Sequence, residues 1–424
     1  LYLNGKVVNR EMMSKQTILS LALLGASLGA LSGCGGGDGG ASNVSLGGTT
    51  PTPTPTATAT PVAITGVQQT AAVATFDTPW AMTFLPDGRM LVTQRNATGA
   101  LSVVTTDGLV VPVTGLPDNI GVLDVELSPD YASTGRIFFS YMIRDLSAPR
   151  VGRAKDEPTL FPERMAVARA RLVLGRSDAQ LQTVQVVFQQ DPTIVAYVGS
   201  GEPGGRLAFS PSGQDLYITS GDRQELDKTF LFSTTNTLGK IIRIHPDGSI
   251  PADNPFVGTA GAKGEIWTLG HRNHYGLAFA PDGQLWSSEM GPKGGDELNL
   301  VKRGLNYGWP AVSNGDNYDG SSIPDHAPGD GFEAPKVDWT PVIAPSGMIF
   351  YSGNVFADWK GDILITGLQS HGIVRVRTAG ETAKEVQRVD LGTRIREIEQ
   401  GPDGALWVLT DGKAGELRKL TPVF

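Results

Sequence analysis

Residues Glu289–Asn299 read EMGPKGGDELN, placing three acidic side chains, one lysine and three glycines in eleven positions. The segment is too charged and too flexible for a core element. Its carboxylates and bare peptide carbonyls are hard oxygen donors, the kind calcium prefers. Its glycines would let the backbone approach a flat ligand closely. Elsewhere Arg394 and Arg396 stand two apart in RIREIEQ, so on one strand both would project from the same face. Arg272 lies beside Asn273 in GHRN. A guanidinium fork matches a carboxylate better than an ammonium does, so these arginines suit a small anionic ligand. Glu202 in EPGGRL and Asp222 in SGDR are ionised at neutral pH and can accept protons. Brought together, two carboxylates repel unless one is protonated or a cation lies between them.

These residues are scattered over two hundred positions, so the fold must gather them. A turn built from Pro, Asp or Gly leads six times into a short apolar or aromatic strand. The copies are LPDGRMLVT from Leu85, SPDYASTGRIFFSY from Ser128, SPSGQDLYIT from Ser210, APDGQLWSS from Ala280, FADWKGDILIT from Phe356 and GPDGALWVLT from Gly401. Each has the form of a β-hairpin. The 54 glycines and 28 prolines are too many for long helices and favour an all-β chain. Six copies with uneven spacing predict a six-bladed β-propeller carrying insertions, because radial repetition leaves few open sheet edges. A β-sandwich is the alternative, and some 360 residues is long for one. In a propeller, loops from successive blades converge at one end of the central channel.

With 40% hydrophobic and 18% charged residues the chain reads as globular. Its net charge of −8 argues against nucleic-acid binding, which needs a basic surface. The first 62 residues stand apart. Lys15 precedes the apolar run TILSLALLGASLGA, followed by LSGC ending at Cys34. A positive flank, a short hydrophobic run and small residues describe a secretory signal too short to span a bilayer. The run resembles a bacterial lipoprotein signal, which implies a lipid on Cys34, the only cysteine, and a periplasm-facing position. The residues before Met12 are unusual for such a signal, so translation is expected to begin at Met12 or Met13. Residues 35–62, with GGGDGG and TTPTPTPTATATP, form a flexible and then extended tether. The folded domain is expected over residues 63–424.

The ordered set of GGRLAFSPSGQDLYITSGDR, LGKIIRIHPDG, GHRNHYGLAFAPDGQLW, EMGPKGGDELNLVKRGLNYGWP, WTPVIAPSGMIFYSG and RIREIEQGPDG resembles the glucose/sorbosone dehydrogenase family of soluble quinoprotein aldose dehydrogenases. Single motifs such as PDG are weak, but the ordered set spans the chain from DTPWAMTF at Asp77 to the C-terminus. The resemblance implies a six-bladed propeller that binds pyrroloquinoline quinone (PQQ) and calcium and oxidises aldoses at C1. It assigns Arg206, Arg272, Asn273, Arg394 and Arg396 to the cofactor, with Asn119 and Tyr275 at positions where the family carries glutamine. The carbonyls of Gly291 and Pro292 would ligate the calcium beneath the quinone. Glu297 and Tyr307, the latter through its backbone carbonyl, would hold a further calcium. Asp222 would partner the base.

The pattern also breaks. Where the family places its catalytic histidine, the motif EPGGRL puts Glu202. Gln369 replaces a cofactor-contacting lysine of some relatives, and Val342 stands where serine or threonine is common. Glu202 and Asp222 are the expected base system, and electrons would leave to a cytochrome or a membrane quinone. Two other functions compete: a non-catalytic propeller binding a saccharide or a protein, and a calcium-dependent lactonase.

Overall fold

The computed structural model describes residues 64–95, 100–118, 120–145, 160–197, 201–224 and 227–424, which fall within one compact unit, Thr60–Phe424. The signal segment, Cys34, the tether and Asn119 lie outside the described residues. The described chain is all-β. Its helical content is two four-residue helices, Tyr131–Thr134 and Lys228–Leu231, and a 3₁₀ turn, Ala357–Trp359. None is long and apolar enough to cross a membrane.

The six repeated turns each close an antiparallel hairpin. The pairs are Pro79–Phe84 with Met90–Gln94, Gly121–Leu127 with Arg136–Arg144, and Gly204–Phe209 with Leu216–Ser220. They continue with Asn273–Phe279 and Leu285–Met290, Pro345–Phe350 and Ile363–Gly367, and Ile395–Gln400 and Leu406–Thr410. Local chemistry explains the recurrence. In the PDG copies the aspartate side chain accepts from the amide two residues on, as Asp87 does from Arg89, Asp282 from Gln284 and Asp403 from Ala405. The glycine that follows takes a left-handed φ of 87°, 87° and 78° at Gly88, Gly283 and Gly404, which a side chain would resist.

Outer strands complete each group. The first and second groups merge into a nine-stranded sheet through a parallel pair, Val110–Thr114 with Ala179–Gln189. Three groups are separate four-stranded sheets. The last hairpin extends into Gly415–Val423, which pairs with Gly66–Gln69 and Ala74–Phe76 from the other end of the described chain. Leading strands of successive hairpins contact one another in chain order, and Ile395–Gln400 contacts Pro79–Phe84, so the sequence of contacts returns to its start. Apolar clusters lie between neighbouring groups, such as Trp80, Leu123, Phe138, Leu207, Ile218 and Tyr275.

Every leading strand is bulged near its start. The register shifts fall between Pro79 and Met82, Val122 and Val125, Gly204 and Leu207, His274 and Gly276, Pro345 and Met348, and Ile395 and Glu397. A bulge removes a ladder hydrogen bond and re-aims a side chain. Hydroxyls across the hairpin make up the loss: Ala81 donates to Thr93 Oγ1, Asp124 to Ser140 Oγ and Arg206 to Thr219 Oγ1, each at 2.9 Å. The shifts therefore put Ala81, Asp124, Arg206, Tyr275 and Arg396 at matching positions around the ring, each just before the residue where pairing resumes.

Candidate functional site

Topology puts the expected residues at one end. Glu202, Arg272 and Arg394 sit one or two residues before a leading strand. Asp222, Gly291, Pro292 and Asp411 sit one or two residues after a second strand. All therefore lie at the open ends of hairpins, away from the turns.

Arg272 is the hub. Its Nη2 pairs with Glu202 Oε1 at 2.5 Å, and its Nη1 donates to the carbonyls of Gly291 at 2.8 Å and Met290 at 3.2 Å. The guanidinium carbon lies 5.4 Å from the Trp309 ring centre and 5.7 Å from that of Tyr318, within cation–π range. Pairing of Lys293–Gly294 with Gly315–Asp316 anchors the loop that carries Tyr318, itself 72% exposed. Burial alone would lower the Arg272 pKa, but the charges of Glu202 and Asp222 outweigh it and raise it.

Glu202 is buried at a left-handed φ of 69°, a conformation that non-glycine residues adopt at a cost. Gly221 accommodates it, since a Cβ there would sit 2.1 Å from the Glu202 carbonyl oxygen. Asp222 is fully buried, with Oδ1 accepting from the Gln224 amide at 2.9 Å and Oδ2 from the Trp309 indole at 2.8 Å. Burial, and then the adjacent charge of Glu202, push its pKa well above the ordinary range. Both remedies for carboxylate repulsion are thus present: Arg272 stands at the pair, and Asp222 is driven toward its protonated form.

Arg394 and Arg396 share one acceptor, Asp411, at 2.9 and 2.7 Å. Arg394 precedes the strand instead of lying within it, and its side chain remains 48% exposed. Arg396 is buried and lies 5.8 Å from the Tyr275 ring centre. Burial would raise the Asp411 pKa, yet the two arginines hold it below the usual value. The two halves of the site are stitched by backbone. Asp296 accepts from the amides of Gly291 at 2.9 Å and Ala344 at 2.6 Å, and Ser346 donates to the Arg396 carbonyl at 2.6 Å.

Asn273 ties neighbouring hairpins by accepting from the Gly204 amide at 3.2 Å. Arg206 is not brought to this group. Its guanidinium turns into the channel, where it pairs with Asp124 and Glu397 and lies 4.2 Å from the Trp80 ring centre. Its link to the mouth is the Tyr275 carbonyl, to which Nε donates at 2.6 Å. Gln369 is exposed and follows Leu368, whose carbonyl accepts from Arg394 at 3.4 Å.

An acidic row, buried at Glu289 and Glu297 and exposed at Asp338, backs the glycine loop. Across strands, Glu289 faces Glu297 and Glu297 faces Asp338. Asn299 donates to Glu289 at 2.9 Å and Glu297 at 3.0 Å, and His326 Nε2 lies 3.8 Å from Glu297. Burial, then the charge of Glu289, pushes the Glu297 pKa well above its usual range, and burial raises that of Asp296 to about 6. The Tyr307 phenol is engaged, donating to the Leu300 carbonyl at 2.6 Å and accepting from the Lys302 amide at 2.8 Å, so its carbonyl is the group left to act as a ligand. Gly291 is tightly cradled, and a Cβ there would lie 2.3 Å from the carbonyl oxygens of Gly294 and Gly295.

Asp411, Trp309, Tyr318 and the acceptor role of Glu289 were not singled out from sequence. Asp411 was findable, because it follows the second strand of its hairpin much as Asp222 follows its own. Tyr318 carries no local signal.

The family model for glucose/sorbosone dehydrogenases matches residues 76–419. Aldose sugar dehydrogenase YliI of Escherichia coli is 38% identical over 365 residues, covering 82% of this chain and 90% of its own length. Quinoprotein glucose dehydrogenase B of Acinetobacter calcoaceticus is 26% identical, covering 82% of this chain and 86% of its own. Among solved structures, the apo form of the soluble aldose sugar dehydrogenase from E. coli superposes with a TM-score of 0.73 at 35% identity, covering 84% of this chain and all of that one. The PQQ-bound aldose sugar dehydrogenase from Streptomyces coelicolor gives 0.61 at 26% identity, covering 84% of this chain and 98% of that one.

Proposed function

Because this chain belongs to the glucose/sorbosone dehydrogenase family, we propose that it oxidises an aldose sugar at C1 to the lactone, using PQQ and calcium. The observation that carries the reading is Arg272, which joins the Glu202 carboxylate to the Gly291 carbonyl under two aromatic rings. We read the six hairpin groups as the blades of a six-bladed propeller, with this cluster at the channel mouth.

The residues fit the cofactor. Arg272 Nε is buried and has no partner among the described residues, and the half-exposed Arg394 stands at the same, open end of its own hairpin. Three arginines against Glu202, Asp222 and Asp411 leave little net positive charge for a tricarboxylate. The Gly291 and Pro292 carbonyls would hold a calcium ion that adds the missing charge, and Glu297 with the Tyr307 carbonyl would hold a second that relieves the acidic row. When bound, the quinone would supply the hydride acceptor for the sugar, and calcium would supply a Lewis acid for its carbonyl.

The chain's own part is to orient and to move a proton. Arg272, Arg394 and Arg396 grip carboxylates and fix the plane of the ligand. Glu202 Oε2 accepts from no described donor, while Oε1 is held by Arg272, so Oε2 takes the C1 hydroxyl proton. Asp222 lies behind it, with its own pKa raised by burial and by the neighbouring Glu202 charge. Glu202→Gln removes the acceptor and should lower kcat for sugar-dependent dye reduction by about a hundredfold or more. Unchanged kinetics would exclude Glu202 from proton transfer.

One observation favours a second reading, a calcium-stabilised binding module without catalysis: the Glu202–Arg272 ion pair already neutralises both groups. A PQQ titration followed by tryptophan fluorescence separates the two, since the module shows no saturable quenching. We further propose that a lipid on Cys34 tethers the domain to a bacterial membrane facing the periplasm, where a cytochrome or membrane quinone takes the electrons.

A further inference from the structure

The HRN loop carries a feature that the quinone reading does not use. Pairing between Asn273–Phe279 and Leu285–Met290 sets His274 directly opposite Glu289, which puts both side chains on one face. His271, three residues earlier, reaches the same place, and its ring centre lies 4.3 Å from that of His274. All three side chains are buried. One nitrogen from each imidazole and one Glu289 oxygen lie within 4.8 Å of one another.

We infer that His271, His274 and Glu289 form a binding site for one divalent transition-metal ion of the zinc or cobalt type. The pointer to a ligand is His274. Neither of its ring nitrogens has a hydrogen-bond partner among the described residues, although the side chain is fully buried. A neutral imidazole always presents one N–H and one lone pair, and burying both unpaired is costly. Bond lengths of about 2.0–2.2 Å place ligand atoms roughly 3.3–4.2 Å apart around such an ion, so shifts below about 1 Å close the site. The ion would replace the 2.8 Å contact between His271 Nδ1 and Glu289 Oε1.

Neighbours hold the ligands in position. Glu289 accepts from the Arg272 amide at 2.7 Å and from Asn299 at 2.9 Å, and His271 Nε2 lies 2.9 Å from Thr268 Oγ1. Such partners orient metal ligands and tune affinity. Two imidazoles and a carboxylate select zinc, cobalt, nickel or copper, whereas calcium takes oxygen donors. The site is therefore chemically distinct from the proposed calcium positions at Gly291–Pro292 and Glu297, and it does not depend on PQQ. Because Glu289 also holds the Arg272 amide, an ion here would stiffen the loop that presents Arg272.

The test uses the purified full-length chain, stripped by chelator and then kept in excess calcium so that oxygen sites are filled. Titration with Co²⁺ should give one equivalent with the visible absorption of low-coordinate, nitrogen-ligated cobalt, bleached by Zn²⁺. His274→Ala should weaken binding by at least about a hundredfold, whereas alanine at the exposed His371 should leave it unchanged. Absence of a stoichiometric cobalt band, or a band intact in His274→Ala, overturns the assignment. Should that variant fail to fold, X-ray absorption at the cobalt edge of the parent chain decides. Two imidazole scatterers support the site, and an oxygen-only shell refutes it.

Discussion

Single residues in the mouth act through shared partners. Trp309 fills part of the space around Arg272, and its indole N–H also donates to Asp222 Oδ2. A donor to a carboxylate stabilises the ionised form. Trp309→Phe therefore pushes Asp222 further above the level to which burial and Glu202 already raise it. In the proposed base pair the ionised form is active, so activity appears only at higher pH. The acidic limb of the kcat/KM profile should move up by about one unit, or about 1.4 kcal/mol, within what a hydrogen bond to a charged group is worth. A limb that stays in place removes Asp222 from the pair. Glu202, Asp222 and the three arginines were legible as residue types that could do chemistry. Their pairings were not, because which carboxylate meets which guanidinium is decided by loops far apart in sequence. Arg206 shows the limit, since its motif sits beside Glu202 while its side chain belongs to the channel acids Asp124 and Glu397.

At the scale of elements, the six turn motifs were readable because aspartate and glycine determine turn geometry locally. The bulges were not readable, although each leading strand has one and the opposing hydroxyls of Thr93, Ser140 and Thr219 serve three of them. A hydroxyl at the end of a strand is too common to signal an extra residue on the facing strand. The glycine loop is a case where shape is the function. Gly291→Ala would drive a Cβ against two backbone carbonyls at 2.3 Å, and neither can rotate away as a side chain could. The loop must open, which moves the carbonyl proposed to hold calcium. Calorimetry should show calcium affinity lower by at least about tenfold, with a smaller loss of thermal stability. Unchanged affinity would place the ion elsewhere.

At the scale of the whole molecule, closure decides stability. The strand Gly66–Gln69 from the N-terminal side completes the last sheet by pairing with Gly415–Val423. Gln69 also donates to the Leu391 carbonyl at 2.9 Å, and the Ile64 amide donates to Asp358 at 3.2 Å. Deleting residues 66–69 from the full chain leaves an open edge on the final strand, the kind of edge that recruits other chains. The transition temperature should fall by roughly 5–10 °C, about 2–3 kcal/mol at 2–4 °C per kcal/mol, with aggregation on heating. A transition at the parent temperature would mean that the ring is closed by other contacts.

That the chain is β-structured, where its hairpins turn, which family it belongs to, and which residue types could grip an anion or accept a proton could all be read from the order of its residues. These are local properties, carried by turn chemistry, strand alternation and ordered motifs. That Arg272 bridges Glu202 and Gly291, that Arg394 and Arg396 share Asp411, and that His274 lies buried opposite Glu289 emerged only in the folded molecule. The reason is that hydrogen bonds and ion pairs act over about 3 Å. Such short reach is governed by how separate strands and loops meet in space, and spacing along the chain carries almost no record of it.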